Sequence, residues 1–104
     1  MFLGKVKGHV IATAKDPSIS GQKLLVVEPL RVDYATSATN TASGFSVTGR
    51  AIVALDSIGA GEGQIVLITQ GSSARLAEGC RNLPTDAVVV GIVDEAVVAG
   101  CKLA

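Results

Sequence analysis

Residues 58–75 form the stretch that most constrains what this chain can fold into. They combine a turn dense in glycine, an uncharged apolar run, and a turn of small residues that ends in a cation. The apolar run, residues 64–70, is typical of a strand buried on both faces. Glycine accepts positive φ and lets two backbones approach closely, so the first turn suits a tight bend or contact with another chain. The stretch therefore predicts a turn, a buried strand and a short helix in succession.

The short helix is expected directly after the buried strand. Gly71 interrupts the apolar run, and Ser72 or Ser73 is a suitable N-cap for a helix. Arg75 lies on this helix, and Gly79 is placed to stop it. The sequence thus predicts a capped α-helix of one or two turns.

Two segments alternate between polar and apolar residues. In residues 2–13, the polar side chains of Lys5, Lys7 and His9 share one face, while glycine and apolar residues occupy the other. Residues 47–56 alternate in the same way. Because a period of two is typical of half-buried β-structure, both segments are predicted to be strands.

Two apolar runs complete the predicted strands. Residues 24–27 form one, ended by Pro29, and residues 87–93 form the other. Residues 33–46, rich in Thr, Ser and Ala, are expected to form a long exposed loop. Five strands with one short α-helix between the fourth and fifth predict a mainly β fold. The expected architecture is a small OB-like β-barrel in one domain of residues 1–104, with an open β-sandwich as the alternative.

The composition indicates an oligomer. Hydrophobic residues make up 48% of the chain and charged residues 17%, which is less charge than the surface of an isolated small domain normally carries. The formal net charge is zero, which argues against nucleic acid or acidic lipid as a partner. No apolar run approaches the length of a membrane span, and the apolar-then-basic N-terminus is the reverse of a signal peptide.

No metal or cofactor site is predicted. Cys80 and Cys101 are far apart in the sequence and are expected to be free thiols of a cytoplasmic protein. His9 is the single histidine, so the usual zinc ligand sets are missing. The spacing of glycines in residues 59–63 is G-x-G-x-G and precedes a strand, whereas a dinucleotide site needs G-x-G-x-x-G before a helix.

Two other functions, a small hydrolase and an OB-type binding module, are weighed against a structural role. Ser72 or Ser73 raises the hypothesis of a small hydrolase, but the pattern lacks the second glycine of G-x-S-x-G, and His9 is the only candidate base. An OB-like barrel also suits a nucleic-acid or small-ligand binding module. Single-strand binding needs aromatic platforms and a basic groove, and only 3% of the residues are aromatic.

Arg75 is the cation best placed for a contact between subunits. Charged residues are scarce in this chain, and small residues surround this one. A partner such as Glu62 or Asp56 of another subunit would satisfy its guanidinium. The alternative is a solvated surface arginine that contributes little.

Several short motifs occur in a characteristic order and spacing. The motifs are Ala12-Thr13-Ala14-Lys15, Gly21-Gln22-Lys23-Leu24-Leu25-Val26-Val27, Val53-Ala54-Leu55-Asp56, Gly59-Ala60-Gly61-Glu62-Gly63, Val66-Leu67, Gly71-Ser72-Ser73-Ala74-Arg75, Asp86-Ala87 and Gly91-Ile92-Val93-Asp94. Together they resemble the bacterial microcompartment vertex proteins, the EutN/CcmL family, over nearly the whole chain. The combination of the glycine turn with Gly-Ser-Ser-Ala-Arg is the most specific part of the match.

The resemblance implies a structural protein of the bacterial cytoplasm with no catalytic activity. It implies an OB-like barrel that assembles into a homopentamer and caps the vertices of a microcompartment shell of the metabolosome or carboxysome type. The implied partners are hexameric or trimeric shell proteins, with no cofactor, metal, nucleic acid or membrane. The candidate subunit-interface or pore residues are Gly59, Ala60, Gly61, Glu62, Gly63, Ser72, Ser73 and Arg75.

Overall fold

The computed structural model of this chain describes residues 1–13, 15–32, 45–77, 80, 84–98 and 101–102. Within these residues the chain forms eight β-strands and two short 3₁₀ helices. The helices are Pro17–Ile19 and Gly71–Leu76. The strands are β1 (Phe2–Val10), β2 (Lys23–Val32), β3 (Phe45–Val47), β4 (Ile52–Asp56), β5 (Ile65–Gln70), β6 (Ala87–Ile92), β7 (Val97–Val98) and β8 (Cys101–Lys102).

Five of these strands close into a barrel. β1 pairs antiparallel with both β2 and β5, β5 pairs with β6, and β2 pairs with β4. A short parallel pairing of β4 with β6 completes the circle. β3 pairs with the C-terminal part of β2, while β7 and β8 form a separate two-stranded sheet. The closed barrel confirms the predicted fold class.

The core has two parts. The main part fills the barrel with inward-facing side chains of the five barrel strands. The second part lies where β4 meets β6 and is covered by the helix Gly71–Leu76. It consists of Leu55, Val88, Ala74 and Cys80, all of which are buried. Because the parallel pairing joins only two residue pairs, this apolar cover supplies contacts that the short ladder cannot.

The helix between β5 and β6 is a 3₁₀ helix and not the predicted α-helix. The Ala77 N–H donates to the Ala74 carbonyl, the i→i+3 pattern of the tighter helix. Gln70 occupies the N-cap without a side-chain hydrogen bond, so the predicted serine cap is wrong. Ser72 and Ser73 lie inside the helix, because the turn already begins at Gly71. Packing of Ala74 into the second core outweighs the local capping preference.

Pro29 does not end β2, contrary to the sequence expectation. The strand changes partner at this point: the pairing with β4 ends at Val27, and the pairing with β3 begins at Leu30. Pro29 therefore lies between these two pairings and has no registered partner on that side of β2. Its missing N–H interrupts neither the pairing with β4 nor the pairing with β3.

The predicted strand of residues 47–56 is interrupted. Gly49 has φ +77°, a left-handed conformation that separates β3 from β4. The predicted loop of residues 33–46 is also shorter, because Phe45 and Ser46 belong to β3. Residues 33–44 of that loop lie outside the described residues.

A register shift in the middle of β1 separates two polar residues that the sequence places on one face. Lys5 pairs with Glu28, and His9 pairs with Leu25. Glu28 and Leu25 are three residues apart on β2, so they face opposite sides of the sheet. Because directly paired residues share a face, the bulge turns His9 to the side opposite Lys5, and the predicted common face is wrong for His9.

Gly4 lies where the barrel is packed too closely for a side chain to fit without displacing its neighbours. A Cβ there would collide with the Val27 side chain and lie 3.3 Å from the Ile68 Cδ1 atom. We expect Gly4→Ala to lower the free energy of unfolding by roughly 1–3 kcal/mol, measured by denaturant unfolding. Gly8→Ala is the matched control, because a Cβ at Gly8 meets nothing within 4 Å. Equal stability of the two variants would contradict the close approach of β1 and β2 at Gly4.

Candidate subunit-interface site

The candidate residues lie in two segments that leave β5 from opposite ends. The glycine turn, residues 59–63, precedes Ile65, and the helix Gly71–Leu76 follows Gln70. β5 has six residues, a length of about 20 Å. The two segments therefore start from different ends of the barrel and do not form one compact pocket.

Asp56, the last residue of β4, holds the glycine turn in shape. Its Oδ1 accepts hydrogen bonds from the N–H groups of Ile58 at 3.0 Å and Gly59 at 3.3 Å. Its Oδ2 accepts a hydrogen bond from the Ala60 N–H at 2.8 Å. The Asp56 side chain is fully buried, so these N–H groups replace the water that a carboxylate needs.

Lys23 joins the same network from β2. Its Nζ donates to the Ala60 carbonyl at 2.8 Å and lies 3.8 Å from the Asp56 Oδ2. The Lys23 side chain is 50% exposed, so water shares the charge of its amine. Sequence reasoning missed this role of Lys23 and considered Asp56 only as a partner of Arg75. An aspartate two to four residues before a glycine turn is the signal that could have identified the cap.

The structure distinguishes the residues of the glycine turn from one another. Gly59 and Gly63 have φ of +91° and +87°, so glycine is needed at both positions. Gly61 is not in this conformation, and its N–H donates to the Gln64 Oε1 at 2.6 Å. Ala60 is fully buried in the main core. Glu62 is exposed at the tip of the turn, where another chain can reach it.

The glycine turn is also attached to β1. The Gly63 N–H donates to the Val6 carbonyl at 2.8 Å, and the Val6 N–H donates to the Gln64 carbonyl at 2.9 Å. The turn is therefore fixed from both sides, by Asp56 and by β1. A surface held in this way loses little conformational entropy when it binds a partner.

The second segment presents Ser72, Ser73 and Arg75 on the surface, and all three are exposed. Among the described residues, no acidic group forms a salt bridge with the Arg75 guanidinium. Ser72 and Arg75 line a cleft whose other described residues are Gly71, Pro84, Thr85 and Asp86. Within the described part of the chain, the Arg75 charge therefore has no acidic partner in a salt bridge.

Metal-ligand clusters and thiol chemistry can be judged in the part of the chain that the structure describes. No group of three or more His, Cys, Asp or Glu residues in it is placed to hold a metal ion. Burial raises the pKa of the Cys80 thiol, so its nucleophilic thiolate is disfavoured. No helix within the described ranges has the length and apolar character needed to cross a membrane.

Comparison with known proteins identifies the family. The family described as ethanolamine utilisation protein EutN/carboxysome matches residues 1–94. This chain belongs to the EutN/CcmL family. The microcompartment shell vertex protein GrpN of Rhodospirillum rubrum is 44% identical over 94 residues, which cover 90% of this chain and 93% of GrpN. The resemblance recognised in the sequence motifs is thereby confirmed.

Solved structures agree with this assignment. CcmL of Gloeobacter violaceus superposes with a TM-score of 0.80 at 36% identity, covering 100% of this chain and 96% of CcmL. The pentameric microcompartment shell protein GrpN of Rhodospirillum rubrum gives a TM-score of 0.72 at 41% identity, covering 94% of this chain and 98% of GrpN. These relatives favour a shell vertex protein over an OB-type binding module.

Proposed function

We propose that this EutN/CcmL-family chain forms a homopentamer that caps the vertices of a bacterial microcompartment shell in the cytoplasm. Its neighbours in the shell would be hexameric or trimeric shell proteins, and the chain itself would catalyse no reaction and bind no nucleic acid. The observation that carries the proposal is the match over nearly the whole chain to a pentameric shell protein, at 41% identity.

The placement of the candidate residues supports a ring. A closed ring of identical subunits needs two different, complementary patches on each copy. The glycine turn and the Ser72–Arg75 segment extend from opposite ends of β5, so they suit this head-to-tail arrangement. Gly59, Ala60, Gly61 and Gly63 would shape the first patch, with Ala60 acting from the core.

A charge pair between copies would connect these patches. Asp56 is unsuitable as a partner of Arg75 in another subunit, because its side chain is buried and already hydrogen-bonded within its own chain. Glu62 is exposed on the glycine turn. We therefore assign Glu62 of one copy to Arg75 of the next, with Ser72 and Ser73 beside them.

The mass of the purified protein tests the ring directly. We expect size exclusion coupled to light scattering to give about five times the 10.5 kDa mass of the chain. The mass should persist on dilution into the micromolar range, because an obligate ring buries more surface than a transient contact. A monomer at micromolar concentration would contradict the proposed function.

Replacing Arg75 tests the charge pair. If the pair is desolvated between copies, Arg75→Ala should weaken ring assembly by roughly 3–5 kcal/mol, because it strands the buried partner charge. The measurement is the ring mass across a dilution series. Arg50→Ala is the control, since Arg50 is an exposed arginine outside the candidate patches.

Exchanging the charges of Glu62 and Arg75 tests whether these two residues contact each other. Glu62→Arg alone and Arg75→Glu alone should each weaken the ring, whereas the double variant should recover part of the loss. If Arg75→Ala dissociates at the same concentration as Arg50→Ala, Arg75 is a solvated surface residue.

A further inference from the structure

One end of the barrel opens into a small cavity with a volume of about 230 Å³. The described residues that line this cavity, the barrel mouth, are Phe2, Pro29, Arg50, Ile52 and Gln70. The barrel mouth lies where β1 and β4 begin and β5 ends. It is therefore at the end of the barrel opposite the glycine turn.

The barrel mouth continues the inward-facing rows of the strands. Each of its four lining residues that belong to strands lies two or four positions from a main-core residue of the same strand. Because successive side chains of a strand point to opposite faces, all four face the barrel interior. The next inward position on β1 is Gly4, where even a Cβ would collide with the Val27 side chain. The barrel below the mouth is therefore filled, and the cavity has a closed floor.

Arg50 is held at the rim of the barrel mouth by the turn before β4. Its N–H donates to the Thr48 Oγ1 at 3.3 Å, and the Thr48 hydroxyl donates to the Pro29 carbonyl at 2.9 Å. In the same turn the Gly49 N–H donates to the Glu28 Oε2 at 2.9 Å. The backbone of Arg50 is thus attached to β2 at the mouth, while the residue itself remains exposed.

The barrel mouth presents hydrogen-bond donors without an acidic partner among the described residues. Glu28 precedes Pro29 and so faces the other side of β2, where its Oε1 lies 3.9 Å from the Lys7 Nζ. No salt bridge joins Arg50 to a described acidic group. The Gln70 side chain makes no capping hydrogen bond to the helix that follows it. The inward rows therefore end in a guanidinium and an amide above an apolar floor.

We propose that the barrel mouth binds a small organic carboxylate. The Arg50 guanidinium matches a carboxylate through two parallel hydrogen bonds, and the Gln70 amide supplies a further donor. Phe2 and Ile52, which are half-buried and pack against the main core, provide the contact for an apolar group. The cavity is smaller than the pockets of about 300–1,000 Å³ that hold drug-sized ligands, so this group is a single ring or a short chain. The site does not depend on the proposed pentamer.

Benzoate and its neutral counterpart benzamide test the site on the purified protein. We expect benzoate to shift the NMR resonance of the Ile52 δ1-methyl group in a saturable way. The methyl group of Ile58, at the opposite end of the barrel, is the internal reference and should not shift. Benzamide should bind roughly tenfold more weakly or worse, because its uncharged carbonyl accepts weaker hydrogen bonds from a guanidinium.

Three variants assign the binding to the barrel mouth. Arg50→Gln should raise the dissociation constant of benzoate by roughly tenfold or more, because it removes the charged donor. Gln70→Glu should raise it by a similar factor, since it places a competing carboxylate in the mouth. Lys15→Gln is the control: it removes the same charge from an exposed lysine that does not line the mouth, and it should leave the dissociation constant unchanged.

The outcomes separate this site from the proposed function. The absence of a saturable shift at Ile52, equal affinity for benzamide, or an equal loss in Lys15→Gln would overturn the proposal. If Gln70→Glu does not fold, Arg50→Gln decides, because Arg50 is exposed; undiminished binding in Arg50→Gln overturns the site. Light scattering on the same samples gives the ring mass. A ring that does not bind benzoate contradicts only the carboxylate site, and a monomer that binds it contradicts only the pentamer.

Discussion

Deleting the gene for this chain, in a bacterium without a second vertex protein, is expected to leave facets assembled but shells open, elongated or leaky. Flat sheets of six-fold units cannot close into a polyhedron, because closure requires points of five-fold symmetry. A small pentamer with apolar, weakly charged sides fits such points by shape more than by charge. Electron microscopy of purified shells measures the outcome.

The encapsulated enzymes provide the internal control for that deletion. Their activity in lysate should be unchanged, because the proposed function gives this chain no part in their chemistry, whereas the pathway in intact cells should lose the benefit of enclosure. Re-expression of the wild-type chain should restore closed shells. Normal closed polyhedra in the deletion strain would contradict the vertex assignment.

Asp56→Ala is expected to be the most destabilising single substitution near the glycine turn. It leaves three N–H groups without their acceptor and removes the counter-charge of Lys23. We expect a loss of roughly 3–5 kcal/mol in the free energy of unfolding, a large fraction of the total for a domain of this size. Denaturant unfolding at fixed protein concentration measures it, since dilution of a ring changes the apparent stability.

Two lysine variants calibrate the Asp56 result. Lys23→Met keeps the carboxylate bonded to the three N–H groups and removes an amine that is half exposed, so it should cost about 1 kcal/mol. Lys7→Met removes a comparable ion pair, Lys7 with Glu28 at 3.9 Å, and should cost less than about 1 kcal/mol. If Asp56→Ala were no more destabilising than Lys7→Met, the carboxylate would not hold the turn.

Local sequence patterns determined most of the barrel. Alternation predicted β1, the uncharged apolar run predicted β5, and clustered glycines predicted a turn that the structure confirms at Gly59 and Gly63. These features depend on residues close together in the chain, whose period and backbone freedom are properties of the sequence itself. The motifs also identified the family correctly, because their order and spacing extend over nearly the whole chain.

Tertiary structure decided the features that depend on barrel closure. The register shifts between β1 and β2 and between β5 and β6 exist because neighbouring strands of a closed barrel cannot keep one register throughout. The helix after β5 became a 3₁₀ helix because Ala74 must reach the junction of β4 and β6 within one short crossing. Asp56 and Lys23 are 33 residues apart in the numbering, so only strand pairing brings the carboxylate and the amine to the same turn.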